Sequence, residues 1–154
     1  MSELMAKDIM SGNVITIDKN ASIEELSALL IEKKISGVPV TDENGIMVGI
    51  ATEGDIIVKD TDLHFPRYFK LLDGIIYLES FTKFKNNLRK HLAIKVEEIM
   101  TRKVISASSD TKINDIAEMM VNNRVNRIPI VDEKNKPIGI VTRADIVKSF
   151  VKKG

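Results

Sequence analysis

The stretch SGVPVTDENGIMVGIATEGD at residues 36–55 returns at residues 125–145 as VNRIPIVDEKNKPIGIVTRAD. Slid by ninety residues, the two copies run in register without a gap. Pro39 falls on Pro129, Asp42-Glu43 on Asp132-Glu133, Gly49-Ile50 on Gly139-Ile140, Thr52 on Thr142 and Asp55-Ile56 on Asp145-Ile146. Outward from this stretch the register holds: Ile9-Met10 meets Ile99-Met100, Val14-Ile15 meets Val104-Ile105, and Ile23 meets Ile113. A fixed offset that keeps Pro, Gly, Thr and Asp all in phase marks an internal repeat.

Each copy carries the same series of periods. A short strand is expected over 14–17 and 104–107. A helix follows, with Ile23, Leu26, Leu29, Leu30 and Lys33 marking one face and its edge, and in the second copy Ile113, Ile116, Met119 and Met120 at the same spacing. Two apolar runs come next, 38–40 with 47–51 and 128–131 with 138–141. Asn44-Gly45 is strong tight-turn chemistry between the first pair. The second turn lacks the glycine and reads as looser. A last helix starts at Thr52 or Thr142. Pro39 and Pro129 sit inside strands and so belong at an edge or an irregular ladder position. The chain therefore reads as α/β (α+β), with two β-α-β-β-α repeats over 6–60 and 96–150 related by pseudo-two-fold symmetry. A largely helical insert over 61–95 connects them. Each repeat is too small to stand alone, so the two are expected to share one module.

Composition bounds the reading. The sequence is 44% hydrophobic and 29% charged, as globular chains are. It has no cysteine, hence no disulfide, thiol nucleophile or thiolate metal site. The N-terminal residues lack a signal-peptide pattern, and no apolar run approaches the ~20 residues of a membrane helix. A net charge of +1 gives no general pull toward nucleic acid or acidic lipid. A cytoplasmic protein without membrane attachment is expected.

The stretches at 36–55 and 125–145, with the Ile-Met dipeptides ending at Met10 and Met100, resemble the core of the CBS domain, a repeat found in tandem pairs called Bateman modules. The resemblance covers residues 6–60 and 96–150. It implies a regulatory module that binds an adenine nucleotide (AMP, ADP or ATP) or an S-adenosylmethionine-like ligand in clefts between the repeats. It also implies association into a homodimer, to which Leu26, Leu29, Leu30, Met119 and Met120 offer apolar surface, and an effector protein not identified by the sequence. No cofactor is required.

The motif that carries this expectation is Gly-hydrophobic-x-Thr-x-x-Asp, at 49–55 and 139–145. It sets a hydroxyl and a carboxylate on the first turn of a helix leaving a strand. Such a carboxylate can accept hydrogen bonds from two vicinal ribose hydroxyls, and the hydroxyl with the free N–H groups of the helix start can meet a phosphate. In the family this is the usual adenosine contact, which implies that role for Thr52, Asp55, Thr142 and Asp145. The same spacing is also a capping box, which needs no ligand. An adenine needs an apolar slot edged by backbone polar groups. Gly37, Val38 and Pro39 with Thr16, and Arg127, Ile128 and Pro129 with Ser106, are the candidates to line two such slots. Val38 and Ile128 also read simply as core. Two asymmetries stand out, Gly37 against Arg127 and Glu53 against Arg143. The second favours phosphate at the second repeat's motif, where Arg143 would supply a bidentate fork.

Other chemistry is weaker. There is no glycine-rich phosphate loop, neither His64 nor His91 has a ligand-spaced partner, and the acidic run 60–64 lacks a calcium loop's glycine and distal glutamate. No nucleophile has an evident base, so no catalytic residue and no metal site is assigned. In the insert, Tyr77, Phe81, Phe84, Leu88 and Leu92 recur at helical spacing opposite Lys83, Lys85, Arg89 and Lys90. That pattern suits a packed amphipathic helix, a dimer contact or a patch for an acidic partner better than nucleic-acid binding. The alternative to ligand sensing is a structural dimerisation or protein-interaction module whose clefts stay empty.

Overall fold

The computed structural model describes residues 3–61 and 94–151. The expected insert helix and both histidines lie outside these residues. In chain order the elements are α1 (Ala6–Ile9), β1 (Ile17–Asp18), α2 (Ile23–Lys33), β2 (Gly37–Thr41), β3 (Met47–Thr52), α3 (Glu53–Thr61), α4 (Val96–Ile99), α5 (Ile113–Asn123), β4 (Arg127–Val131), β5 (Pro137–Thr142) and α6 (Arg143–Val151). Apart from β1, every element recurs at the offset read from the sequence.

One sheet has the order β1-β2-β3, with β1 parallel to β2 and β3 antiparallel to it; β4 and β5 form an antiparallel pair. The first strands are shorter than expected. Over 14–17 only Ile17 enters a strand, and over 104–107 only Ala107 pairs, as a single bridge to Ile130. The prolines explain the truncation. Ala107 N–H donates to the Pro129 carbonyl at 3.0 Å, so Pro129 turns its backbone toward this neighbour, where its own nitrogen has no hydrogen to extend the parallel ladder backwards. Ile15 and Ile105 still pack on the cores, but outside the ladder.

The two turns are alike, which corrects the expectation of a looser second one. Gly45 has φ 77° and Asn135, at the matching position, φ 61°. Asparagine tolerates this left-handed region through its short polar side chain. Asp42 and Asp132 each hold their turn identically: Oδ1 accepts from two backbone N–H groups at 2.9–3.0 Å. Asn135 adds what glycine cannot, because its side-chain amide donates to the Met47 carbonyl at 3.0 Å and joins the second turn to the first repeat's β3.

The repeats are also tied by exchange of their leading segments. α1 packs on the second repeat's core, where Ala6 joins the buried cluster of Ile113, Ile116, Met120, Ile128, Ile130, Val141 and Ile146. In return, Val96 and Met100 of the α4 segment join Ile17, Leu26, Leu30, Val38, Val40 and Ala51. The backbone follows suit: Ala6 N–H donates to Thr111 O at 2.8 Å and Val96 N–H to Ala21 O at 2.8 Å. Thr101 and Ile50 exchange both backbone bonds at 2.9 Å, so Ile50 turns away from Pro39 and the proline leaves no partner unsatisfied on that side. The fit is close. A Cβ on Gly49 would lie 2.5 Å from Met100 Sδ, and one on Gly139 2.5 Å from Met10 Sδ. Leu26 and Ile116, both 0% exposed, each contribute about 1.5–3 kcal/mol of burial to these cores.

Candidate functional site

The strand-to-helix junctions come first, because they place the motif's polar groups. At the first, Asp55 Oδ2 accepts from Thr52 N–H at 2.9 Å and from its hydroxyl at 3.2 Å, while Thr52 Oγ1 lies 3.3 Å from the Asp55 amide that donates to it. At the second, the corresponding distances are 2.8, 2.9 and 3.3 Å. Both are reciprocal capping boxes, worth about 1 kcal/mol each. In both, a single carboxylate oxygen does the capping. The second oxygen of Asp55 and of Asp145 has no hydrogen bond among the described residues, so capping and acceptance from a ligand hydroxyl are compatible.

Among the described residues, two clefts lie where the repeats meet. The larger, about 680 Å³, is walled by α2 and α3 of the first repeat and includes Lys34, Ser36, Gly37, Glu53, Arg127 and Thr142. The smaller, about 210 Å³, brings Thr52 against Thr101, Lys103, Arg124, Arg127 and Pro129, with Val104, Ile105 and Val125 as its apolar wall. Each cleft thus joins a motif threonine to the opposite repeat, and Arg127 lines both. Its guanidinium donates to Ser36 Oγ and makes no ion pair among the described residues. Burial pushes its pKa below the usual arginine value, against the smaller upward pull of Glu53 and Asp55. The guanidinium fits because residue 37 is glycine: a Cβ there would lie 2.9 Å from Arg127 Nη1.

Of the candidate residues, Gly37, Arg127 and Thr142 meet in the larger cleft and Thr52, Arg127 and Pro129 in the smaller. Thr16, Val38, Pro39, Asp55, Ser106, Ile128, Arg143 and Asp145 line neither of these two. Val38 and Ile128 are 0% exposed and belong to the two cores, as their strand positions also allowed. The expected charge asymmetry is inverted. Arg143 is exposed and stands outside both clefts, whereas Glu53 faces the cleft of Thr142, not that of Thr52. Both residues sit at a helix's first position, just past the cap, so the helix turn and not sequence adjacency decides which cleft they reach. Of the cations of Thr52's cleft, Lys103 and Arg124, the second was not singled out from the sequence. Lys34 and Arg124 are matching helix C-caps at φ 54°, each with a basic side chain at a cleft wall. A cation at both C-cap positions of a repeat was a signal available in the sequence.

Among the described residues no three His, Cys, Asp or Glu side chains are grouped to hold a metal ion, and no helix is long and apolar enough to cross a membrane.

This pairing of repeats across two clefts defines a class, and sequence comparison agrees. The CBS domain family matches residues 6–61 and 96–152, and the chain belongs to that family. It is 36% identical to the uncharacterized protein MJ1426 of Methanocaldococcus jannaschii, over 96% of this chain and 92% of that one. A 31% identical stretch of that organism's inosine-5'-monophosphate dehydrogenase covers 93% of this chain but only 23% of the enzyme. Among solved structures, the CBS domain pair of protein MJ0100 in complex with 5'-methylthioadenosine and S-adenosyl-L-methionine is 31% identical, with a TM-score of 0.74 and coverage of 99% and 100%. The complex of CBSX2 with AMP, 24% identical over 97% of both chains, shares the fold with a TM-score of 0.73.

Proposed function

We propose that the chain is a regulatory module that senses an adenine nucleotide or related adenosyl ligand bound in the clefts between its repeats. The observation that carries this reading is the placement of a capped threonine from one repeat against the opposite repeat in each cleft, with a carboxylate oxygen of its Thr-x-x-Asp pair left uncommitted. The adenosyl ligands of the 31% identical MJ0100 pair support the ligand class. Thr52 and Thr142 would meet phosphate or the ribose edge inside the clefts, while Asp55 and Asp145, on the same helix starts but outside the lining of both clefts, would take the ribose hydroxyls where the ligand extends past that lining, with Thr16, Ser106 and the backbones of 37–39 and 127–129 toward the adenine. No catalytic step is assigned to any of them. A thermal-shift panel of AMP, ADP, ATP, S-adenosylmethionine and methylthioadenosine tests the reading. A ligand at 100 times its Kd adds about 2.7 kcal/mol, which is on the order of several degrees for a domain of this size. No shift with any of the five would contradict it.

The module would act as a homodimer, and the surface that supports this differs from the expected one. Leu26, Leu30 and Met120 are buried in the cores, because they share the inner face of their helices. One residue further round, Ile31 is 78% exposed and its counterpart Val121 73%; Ile57 is 60% exposed and Val147 62%. Matching apolar positions on the outer helices of both repeats form a pair of patches suited to a second copy. The effector that reads the ligand state would contact this assembly.

A further inference from the structure

Arg127 and Asn135 tie the second repeat to the two ends of the first repeat's hairpin. At the open end the Arg127 guanidinium donates to Ser36 Oγ, just before β2 begins. At the turn end the Asn135 carbonyl accepts from Met47 N–H at 2.9 Å, and its side-chain amide donates to Met47 O at 3.0 Å. Neither tie can have a mirror image. The counterpart of Arg127 on Ser36 is Gly37 on Asn126, and glycine has no side chain to reach across. The counterpart of Asn135 on Met47 is Gly45 on Pro137, which offers neither a side-chain amide nor a backbone N–H. We infer that the interface between the repeats is hinged on one side: the two ties hold the larger cleft at a fixed width, and the cleft at Thr52 is the one that opens and closes. The assignment of that motion to ligand entry rests on the proposed ligand-sensing function; the hinge itself does not.

The walls of the Thr52 cleft are arranged for such a motion. One wall, with Ile50, Thr52 and Thr101, belongs to the first repeat, because Thr101 and Ile50 exchange backbone bonds at 2.9 Å. The other, with Arg124, Asn126 and Pro129, belongs to the second. Ile105 already packs on the second core, so the chain crosses from one repeat to the other over residues 102–104. The crossing is braced only locally, by Val104 N–H donating to Arg102 O at 3.1 Å. Among the described residues no side-chain hydrogen bond joins the two walls, whereas in the larger cleft Arg127 and Ser36 do so. Size points the same way. The tied cleft, at about 680 Å³, is within the ~300–1,000 Å³ of ligand pockets, and the untied one, at about 210 Å³, is below it. The cleft that must widen for a whole ligand is the one free of a tie.

Residue-resolved hydrogen exchange of the full chain tests the hinge, because the two sides carry matching reporter amides. Glu53 N–H donates to Ser36 O at 2.9 Å on the tied side, and Arg143 N–H to Asn126 O at 3.1 Å on the other. Without ligand, and corrected for intrinsic rates, the Arg143 amide should exchange at least about fivefold faster than that of Glu53. Ser36→Ala and Arg127→Gly remove the tie from its two ends. Each should bring Glu53 to within about twofold of Arg143 and leave Arg143 unchanged, with a urea midpoint to confirm that the variant is folded. Saturating AMP should alter exchange at 103–105 and 124–126 and leave 34–37 within about twofold of the free chain. Equal rates at Glu53 and Arg143 in the wild type, a difference that survives both substitutions, or an AMP response at 34–37 as large as that at 124–126 would overturn the inference. No response to AMP at any residue would contradict the ligand-sensing reading, and the ligand-free rates would still decide the hinge.

Discussion

Gly37 and Arg127 hold the same position in the two repeats, and the glycine makes the room that the arginine fills: a Cβ on Gly37 would stand 2.9 Å from Arg127 Nη1 and 3.0 Å from Thr52 Cγ2. The repeats are therefore not interchangeable where they meet. The two side chains should be energetically coupled. Gly37→Ala should destabilise the chain by about 1–2 kcal/mol in urea unfolding through overpacking, and by less in an Arg127→Gly background, where only Thr52 remains in the way. Strict additivity in this double-mutant cycle would mean that the two residues do not share the space.

The exchanged segments should be equally intolerant of added volume. A Cβ on Gly49 would meet Met100 Sδ at 2.5 Å and the Thr101 carbonyl at 2.9 Å, and that carbonyl is held by Ile50. Gly49→Ala is expected to cost about 1–3 kcal/mol. Gly12→Ala, with nothing within 4 Å, should stay within about 0.5 kcal/mol of the wild type. Similar unfolding midpoints for the two would refute the close packing of the Met100 segment on β3.

The turn at Asn135 gives a third test. Asn135→Ala places alanine at φ 61° and removes the bond to Met47 O, so it should cost about 1–2 kcal/mol. Asn135→Gly keeps the backbone and the 2.9 Å bond from Met47 N–H to the residue 135 carbonyl, loses only the side-chain bond and should cost about half as much. Equal losses in the two variants would mean that the side-chain bond, which both remove, and not the left-handed backbone dominates.

Much of the fold was legible in the sequence because the repeat fixes pairs of positions at once: the helices, the hairpins and both capping threonines stand where their periods place them. What was not legible depends on contacts between repeats. Nothing in the order of residues says that Ala6 packs on the second core or Val96 on the first. Nothing local says that Glu53 faces the cleft of Thr142. The truncation of the first strand was readable in principle, since Pro39 and Pro129 lack the N–H that a longer parallel ladder needs. Arg127 was recognisable as an asymmetry, but its single neutral partner appears only when Ser36 is brought to it.

Dimerisation should depend on the outer helices. Ile31→Glu with Val121→Glu introduces charge on two exposed positions and leaves the cores intact, so light scattering at high micromolar concentration should give a dimer mass for the wild type and a monomer mass for the double variant. A monomeric wild type would remove the homodimer from the account.

The central claim is that the Thr-x-x-Asp pairs serve a ligand as well as the helix cap, and titration calorimetry of an adenosyl ligand into the wild type and an Asp55→Asn/Asp145→Asn variant tests it most directly. Asparagine keeps one acceptor oxygen for the cap, so the melting temperature should fall by only a few degrees. It loses the charge-assisted bonds to ribose, each worth about 1.5–3 kcal/mol, so affinity should drop roughly tenfold or more. An affinity unchanged by the double substitution, with a lowered melting temperature, would leave the two aspartates as helix caps alone.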